Sequence, residues 1–208
     1  MQCTSRFAAA ASASSFTIFN TGVDNFGNLL APAAQDAHWS VSPNGAGNGT
    51  ATVLDSSNGA MGWAWVNNTS NAQWVSTANT INTGTPGLYT YSQNFSLSGF
   101  NAATASISGM SSADDGLVDI VLNGHSMGTD GAGGGGIYGQ WGSWHNFSLN
   151  SGFVSGMNTI SFVTYNQDDN YEGLIVDMRG CAQAVPEPAP VACLGLGLVG
   201  ILARRKRK

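Results

Sequence analysis

Charged side chains are scarce in this chain, which limits the folds open to it. Only 9% of the 208 residues are Asp, Glu, Lys or Arg, whereas 28 residues are Gly. Long helices in soluble proteins draw mainly on Lys, Glu, Arg, Leu and Ala. The composition therefore disfavours long helices and favours short strands joined by polar turns, within one domain of ordinary size.

Basic residues are almost absent from the body of the chain. Five of the seven lie together in Arg204-Arg205-Lys206-Arg207-Lys208. Residues 1–203 hold only Arg6 and Arg179 against twelve acidic residues, a net charge of −10. Such a surface repels phosphate, so we expect no nucleic-acid partner.

Cysteine is also rare, with one residue in each of three different regions. Cys3 lies near the N-terminus and Cys193 in a C-terminal apolar run, which leaves Cys181 as an unpaired thiol. A Cys3–Cys181 bridge would require the N-terminus to be retained. The sequence therefore gives little support for a disulfide framework.

The region after Phe16 is interrupted by turn residues every 8–12 residues or so, a spacing typical of an all-β sandwich. The clearest alternation runs from Leu88 to Leu97, with Tyr89, Tyr91 and Phe95 on one face. Asn123-Gly124 is the dipeptide preferred in two-residue hairpin turns. Strands are predicted over 16–19, 37–41, 50–54, 62–66, 88–97, 103–110, 117–122, 159–165 and 173–178.

Three segments resemble the galactose-binding-domain-like jelly roll found in many bacterial carbohydrate-binding modules. They are Tyr89-Thr90-Tyr91 with Phe95-Ser96-Leu97, Ala113-Asp114-Asp115 leading to Asn123-Gly124, and Gly156-Met157-Asn158-Thr159 followed by an apolar strand. The resemblance covers residues 85–180. It implies a jelly-roll β-sandwich, which we assign to residues 16–181, and a body that binds carbohydrate without being an enzyme.

Aromatic residues in a Gly-rich loop are the candidate sugar-binding residues. Tyr138, Trp141 and Trp144 follow one another closely, and Tyr171 could add a third wall. Sugar recognition needs flat aromatic faces together with polar groups for the hydroxyls. The alternative is that the Trp residues fill the core, which we favour for Trp39, Trp63, Trp65 and Trp74 and which extends to Trp144. For Trp141 both interpretations stay open.

Clustered acidic residues suggest a structural calcium ion. Asp168, Asp169, Glu172 and Asp177 lie close in sequence, and Asp114-Asp115 forms a second pair. Calcium prefers hard oxygen ligands on turns, and related jelly rolls often carry such an ion. A glycosidase would instead need two carboxyls across a cleft, which adjacent residues do not establish.

Residues 124–128, Gly-His-Ser-Met-Gly, match the nucleophile elbow of serine hydrolases. That motif works where the turn leads into a helix. Here a Gly-rich stretch follows, which cannot start a stable helix. We therefore interpret these residues as a hairpin tip, and a secreted hydrolase is the weakest of the functional hypotheses.

Both ends of the chain have the composition of targeting segments. Residues 1–13 combine Arg6, a short apolar stretch and Ala11-Ser12-Ala13, as in a signal peptide whose apolar region is poor or truncated. At the other end, Val185-Pro186-Glu187-Pro188 closes a linker over 182–188. An uncharged run over 189–203 and the basic residues 204–208 follow.

This C-terminal order resembles the PEP-CTERM sorting signal of Gram-negative bacteria. The resemblance implies recognition by an exosortase, a membrane cysteine peptidase, and export from a species that makes extracellular polysaccharide. The run over 189–203 is predicted to be a single membrane helix, with 204–208 as a cytoplasmic tail. It is shorter than the roughly 20 residues of a typical span, so a buried helix is the alternative.

Together these features predict an exported protein, first membrane-anchored and then at the cell surface or in the matrix. Its β-sandwich would bind carbohydrate such as exopolysaccharide. The alternative is a structural matrix or adhesion protein with no sugar site.

Overall fold

A computed structural model describes residues 13–55, 64–79, 84–131 and 141–185. These residues form strands and turns and contain no α-helix, which confirms the all-β prediction. The strands are β1 (Ala13–Phe16), β2 (Gln35–Pro43), β3 (Gly49–Val53), β4 (Val75–Ser76), β5 (Gly87–Ser96), β6 (Phe100–Asp114), β7 (Gly116–Leu122), β8 (His125–Ser126), β9 (His145–Leu149), β10 (Met157–Asn166) and β11 (Gly173–Ala184).

The strands make one curled antiparallel sheet in the order β8-β7-β10-β5-β2-β3-β4-β11-β6-β9, with β1 added beside β11. Strands distant in sequence are neighbours in the sheet, as in a jelly roll. The curl brings β1, β9 and β11 over the face of β5, β10 and β2. A sheet curled in this way buries one face of each strand and leaves the other face outside.

One apolar core fills the space between the two halves. Phe147 of β9 packs edge-on against Phe162 of β10 with ring centroids 5.3 Å apart. Trp39 of β2 contacts the same Phe162 at 5.9 Å, and Phe16 of β1 stacks on Phe95 of β5 at 5.4 Å. The alternation predicted for β5 is confirmed, since Tyr89, Tyr91, Gln93 and Phe95 are all buried.

The predicted hairpin at Asn123-Gly124 is confirmed, and the strand predicted over 62–66 is not. Both turn residues have positive φ, 52° at Asn123 and 82° at Gly124, as a type I′ turn requires.

Residues 64–66 do not form the predicted strand. They belong to segment 64–79, which is irregular apart from the short β4. Trp65 and Trp74 of this segment pack on the outer face of β11, so burial replaces strand pairing as its stabilising interaction.

The body of the fold extends beyond the boundaries predicted from the sequence. β1 begins at Ala13, and Ala13 pairs with Gln183 of β11. Residues 182–184 therefore belong to the sheet and not to a linker, and the domain spans at least residues 13–184. The remainder of the predicted leader, the membrane segment 189–203 and the tail 204–208 lie outside the described residues.

Cys181 and the helix content complete the description of residues 13–55, 64–79, 84–131 and 141–185. Cys181 is a free, half-buried thiol. No helix in this part is long and apolar enough to cross a membrane.

Candidate functional site

A second apolar cluster lies on the outer face of β11, beneath segment 64–79. It is built from Leu54, Trp65, Ala72, Trp74 and Ile175, with Val66, Trp141, Trp144 and Tyr171 partly buried against it. Trp65 and Trp74 contact each other with centroids 4.2 Å apart, and Trp74 Nε1 donates to the Val66 carbonyl at 2.8 Å. The cluster fixes the position of segment 64–79 on the sheet.

An open cleft of about 390 Å³ lies at the edge of this cluster. Its lining residues come from separate parts of the chain and are Ala64, Trp65, Asp114, Asp115, Trp141, Asp168 and Tyr171. Asp114 ends β6, whereas Asp168 and Tyr171 lie between β10 and β11. The strand order places β6 beside β11, which brings these connections to one end of the sandwich.

Asp114 is held in the cleft wall by Trp65. Trp65 Nε1 donates to Asp114 Oδ2 at 2.7 Å, and both residues are buried. Burial is the main reason that the pKa of Asp114 is raised to about 8. The hydrogen bond and negative charge of Asp115 raise the pKa further, against the lowering effect of Trp65. At neutral pH Asp114 is therefore mainly a neutral acid that can donate as well as accept.

Asp115 and Asp168 supply the more accessible carboxyls of the cleft. Asp115 Oδ2 accepts a hydrogen bond from the backbone N–H of Gln167 at 2.6 Å, which orients it. Asp168 follows Gln167 in the connection between β10 and β11, and its side chain is exposed. These carboxyls can accept hydrogen bonds from hydroxyl groups of a ligand.

Trp141 and Tyr171 form the aromatic part of the cleft. The backbone carbonyl of Trp141 accepts a hydrogen bond from Val66 N at 2.7 Å, which ties it to the covering segment. Tyr171 packs edge-on against Trp65 with centroids 6.2 Å apart. Both aromatic side chains are only half-buried, so part of each ring faces solvent.

The structure brings together two of the four predicted sugar-binding residues. Trp141 and Tyr171 line the same cleft. Trp144 is half-buried against the second cluster and is not among the lining residues. Tyr138 lies outside the described residues. The sequence-based interpretation missed Trp65, which it assigned only to the core.

The four residues predicted to bind calcium do not converge on one point. Asp168 lines the cleft, Asp169 is exposed, and Glu172 points into the sandwich. Asp177 accepts hydrogen bonds from Asn20 Nδ2 at 3.4 Å, Thr69 Oγ1 at 3.3 Å and Asn71 Nδ2 at 3.4 Å. Within the described ranges, no group of three or more His, Cys, Asp or Glu residues is placed to hold a metal ion. Calcium binding itself stays a prediction.

Glu172 has a structural environment that the sequence did not indicate. Its carboxyl is bonded to the Tyr91 hydroxyl and to Ser76 Oγ, the latter at 2.6 Å. Complete burial raises the pKa of Glu172 to about 7, although the Ser76 and Tyr91 hydrogen bonds act in the opposite direction. Glu172 therefore joins the strands around it instead of facing a ligand.

Residues 124–128 lie at the tip of the β7–β8 hairpin, as interpreted from the sequence. Ser126 Oγ donates to Asp119 Oδ1 at 3.0 Å across the hairpin, and His125 is exposed beside it. No helix follows in residues 127–131, so the geometry of a nucleophile elbow is not formed there.

Solved structures with a similar fold include several carbohydrate-binding modules. One is the family 11 module of the cellulosomal cellulase Lic26A-Cel5E of Clostridium thermocellum, with 14% identity and a TM-score of 0.39 over 83% of this chain and 99% of that chain. A CBM36-1 domain of a multidomain xylanase from the hindgut metagenome of Trinervitermes trinervoides has 14% identity and a TM-score of 0.30. The match covers 71% of this chain and 99% of that domain. CBM35 from Cellvibrio japonicus Abf62 has 14% identity and a TM-score of 0.29. The match covers 73% of this chain and 93% of that chain.

The C-terminal end of the described chain leads directly into the predicted sorting signal. β11 ends at Ala184, and Val185 N donates to the Gly99 carbonyl at 2.8 Å. No curated protein matches the chain. Residues 184–208 match the family model of the PEP-CTERM protein-sorting motif, so this chain carries that motif at its C-terminus and has the signature of an exported protein.

Proposed function

We propose that this protein is exported, sorted by an exosortase and retained at the cell surface or in the extracellular matrix, where its β-sandwich binds carbohydrate. The observation that carries the binding proposal is the cleft in which Trp141 and Tyr171 flank the carboxyls of Asp114, Asp115 and Asp168. Half-exposed rings stack on the C–H face of a sugar, and the acids bond to its hydroxyls.

The charge of the cleft favours a neutral saccharide. Among the described residues that line it, three are acidic and none is basic. A uronate or sulfated sugar would bring its own negative charge close to Asp115 and Asp168, which disfavours binding. A neutral segment of the cell's exopolysaccharide fits the cleft best.

Affinity measurements on a panel of neutral and acidic oligosaccharides test this proposal. We expect neutral sugars to bind and Trp141→Ala to weaken their binding at least about tenfold, as loss of a stacked aromatic anchor does. Phe26→Ala is the matched control, because Phe26 is an aromatic residue 89% exposed on a different loop. Equal binding by the wild type and Trp141→Ala would contradict a sugar site in the cleft.

A structural or adhesive role without a sugar site has one observation in its favour. Phe26 stands exposed on a loop whose backbone is pinned by Asp24, which accepts hydrogen bonds from Phe26 N at 2.8 Å and Asn28 N at 2.9 Å. A rigidly presented aromatic residue is typical of protein contacts. Loss of cell adhesion in Phe26→Ala, together with no glycan binding by the wild type, would favour this second function.

Processing by an exosortase is supported by the match over residues 184–208. The membrane is then a transient partner, through the segment over 189–203. Mass spectrometry of the mature protein from its own cells tests this step. We expect a C-terminus near Val185-Pro186-Glu187-Pro188, and recovery of the mature protein with the basic residues 204–208 intact would contradict it.

Calcium remains a further proposal, with Asp168 as the predicted ligand that lies in the cleft. The test is thermal unfolding with excess calcium and with EDTA. A higher Tm in calcium that Asp168→Asn abolishes would support the proposal, since a ligand that binds only the native state stabilises it. Identical unfolding in both conditions would contradict it.

A further inference from the structure

A continuous row of hydroxyl side chains crosses the outer face of the sheet formed by β3, β2, β5 and β10. Thr50 is paired with Ser40, Ser40 with Ser92, and Ser92 with Ser161. Directly paired residues on neighbouring strands point to the same side of a sheet. The four hydroxyls therefore form one line perpendicular to the strands.

Strand alternation fixes this row on the side facing away from the core. The residues next to the row, including Val41, Tyr91 and Phe162, are fully buried in the sandwich. A second, parallel row pairs Ser42 with Thr90. The second row ends in Val163, the partner of Thr90 on β10, so the outer face of this half of the sheet is rich in short hydroxyl side chains but not made of them alone.

A groove of about 390 Å³ runs along this face. Its lining residues are mostly small and polar and are Ala37, His38, Trp39, Ser40, Asn48, Thr50, Ser92, Gln93, Asn94 and Thr159. None of them is Asp, Glu, Lys or Arg. The imidazole of His38 stacks on Phe19 with centroids 3.5 Å apart, which fixes one wall of the groove.

Several lining groups are placed to bond to a ligand. Ser92 Oγ shares a hydrogen bond at 2.7 Å with Ser161 Oγ behind the lining, which leaves the pair one unused donor hydrogen. Ser40 Oγ donates to the Ser92 carbonyl at 3.3 Å, so it can serve a ligand as an acceptor. Thr159 Oγ1 donates to Asn94 Oδ1 at 2.6 Å, so the amide N–H groups of exposed Asn94 face outward. Asn48 and Thr50 are exposed at the other end of the groove. The groove therefore offers both donors and acceptors without a fixed charge.

We propose that this hydroxyl groove is a second carbohydrate-binding site, which takes the interior of an extended neutral polysaccharide lying across the strands. Neighbouring strands are about 4.8 Å apart, comparable to the length of one pyranose unit in an extended chain. Successive sugars can therefore meet successive Ser or Thr hydroxyls. The absence of charge in the lining matches a neutral chain.

The hydroxyl groove and the aromatic cleft share no lining residue. A domain with two separate sites can bind two polysaccharide chains at once, or two parts of one chain, and so cross-link them. This inference goes beyond the proposed function of the cleft, because the groove is argued from its own residues.

NMR titration with neutral hexasaccharides and with partly hydrolysed matrix polysaccharide tests the site directly. We expect the side-chain amide signals of Asn48 and Asn94 to shift, both in the wild type and in Trp141→Ala, which has lost the cleft. The Asn48→Ala, Thr50→Ala double variant should bind about tenfold more weakly at the groove, because two hydrogen bonds are lost. Asn25→Ala, at another exposed asparagine, should bind like the wild type.

Light scattering with the long polysaccharide adds a test of cross-linking. The wild type should form large complexes, whereas Trp141→Ala and the double variant should each bind without forming them.

Unchanged Asn48 and Asn94 signals with every neutral sugar, or wild-type affinity in the double variant at an unchanged Tm, would overturn the groove proposal. Shifts at these amides without a response at Trp141 would instead overturn the cleft alone.

Discussion

The hydroxyl of Tyr91 donates a hydrogen bond to the carboxyl of Glu172 inside the sandwich, where neither side chain reaches solvent. Ser76 Oγ donates to the second oxygen of the same carboxyl at 2.6 Å. Tyr91 lies on β5, Ser76 on β4, and Glu172 immediately precedes β11. One buried carboxyl therefore joins three strands of the curled sheet.

This arrangement predicts a fold that is most stable at mildly acidic pH. Burial raises the pKa of Glu172 from 4.5 to about 7, so the folded state holds a proton that the unfolded state releases. The stabilising contribution is complete below pH 4.5 and is lost as the pH rises through 7. Its upper limit is about 3 kcal/mol, at 1.36 kcal/mol per pKa unit. Urea unfolding between pH 4.5 and 8 measures the effect.

Glu172→Gln separates this carboxyl from the other titrating groups. The variant should lose the part of the decrease in unfolding free energy between pH 4.5 and 8 that comes from Glu172, because its amide does not ionise. Asp114, whose pKa is raised to about 8, contributes in the same direction and keeps its own part of the decrease. Asp169→Asn is the control, since Asp169 is exposed. A wild-type protein that becomes more stable from pH 5 to pH 8, or a Glu172→Gln variant with the same slope, would contradict this account of the core.

A second prediction concerns the hydrogen bond from Trp65 to Asp114 in the cleft. The pKa of Asp114 is about 8, and Trp65 is the neighbour that lowers it. In Trp65→Phe the midpoint of the Asp114 carboxyl titration, followed by ¹³C NMR, should therefore move above the wild-type value. Loss of the bond should also cost about 1–3 kcal/mol of stability, because a buried acceptor loses its donor.

Trp74→Phe is the matched control for that measurement. It also loses an indole hydrogen bond, to the Val66 carbonyl, but that bond does not involve Asp114. The Asp114 midpoint should stay at its wild-type value in this variant. A normal Asp titration near 3.8 in the wild type would show that the cleft is more hydrated than its geometry indicates.

A third prediction tests how β1 is held on the sheet. A Cβ added at Gly180 would lie 2.2 Å from the Phe16 ring, which covers this residue of β11. Gly180→Ala should displace Phe16 from the core and lower the unfolding free energy by about 2 kcal/mol, as overpacking does. Thermal unfolding should show a decrease in Tm of about 4–8 °C.

Gly47→Ala is the control for this substitution, because nothing lies within 4 Å of a Cβ at that position. Its Tm should match that of the wild type. If Gly180→Ala were as stable as Gly47→Ala, β1 would not contribute to the stability of the sandwich in solution.

Much of the fold could be predicted from local pattern. The period-two alternation of β5 and the Asn123-Gly124 turn are both properties of short segments, and both are confirmed. The pairing of β1 with β11 could not be predicted, because nothing in either segment specifies a partner about 170 residues away.

The site was only partly predictable for the same reason. Trp141 and Tyr171 were identified from their aromatic chemistry in polar loops, which is a local property. That Asp114 and Trp65 join them depends on the position of β6 beside β11 and on the path of segment 64–79. Glu172 was assigned to a metal site because its sequence neighbours are acidic, yet its side chain faces inward. The spacing of acidic residues in the sequence does not show which way the side chain of Glu172 points, immediately before β11.

The central claim is that the cleft between Trp141 and Tyr171 binds carbohydrate. The most direct test is NMR of the Trp indole N–H signals during titration with neutral oligosaccharides. We expect the Trp141 indole signal to shift and to saturate as the sugar is added. A Trp141 signal that does not move with any neutral sugar would contradict the account.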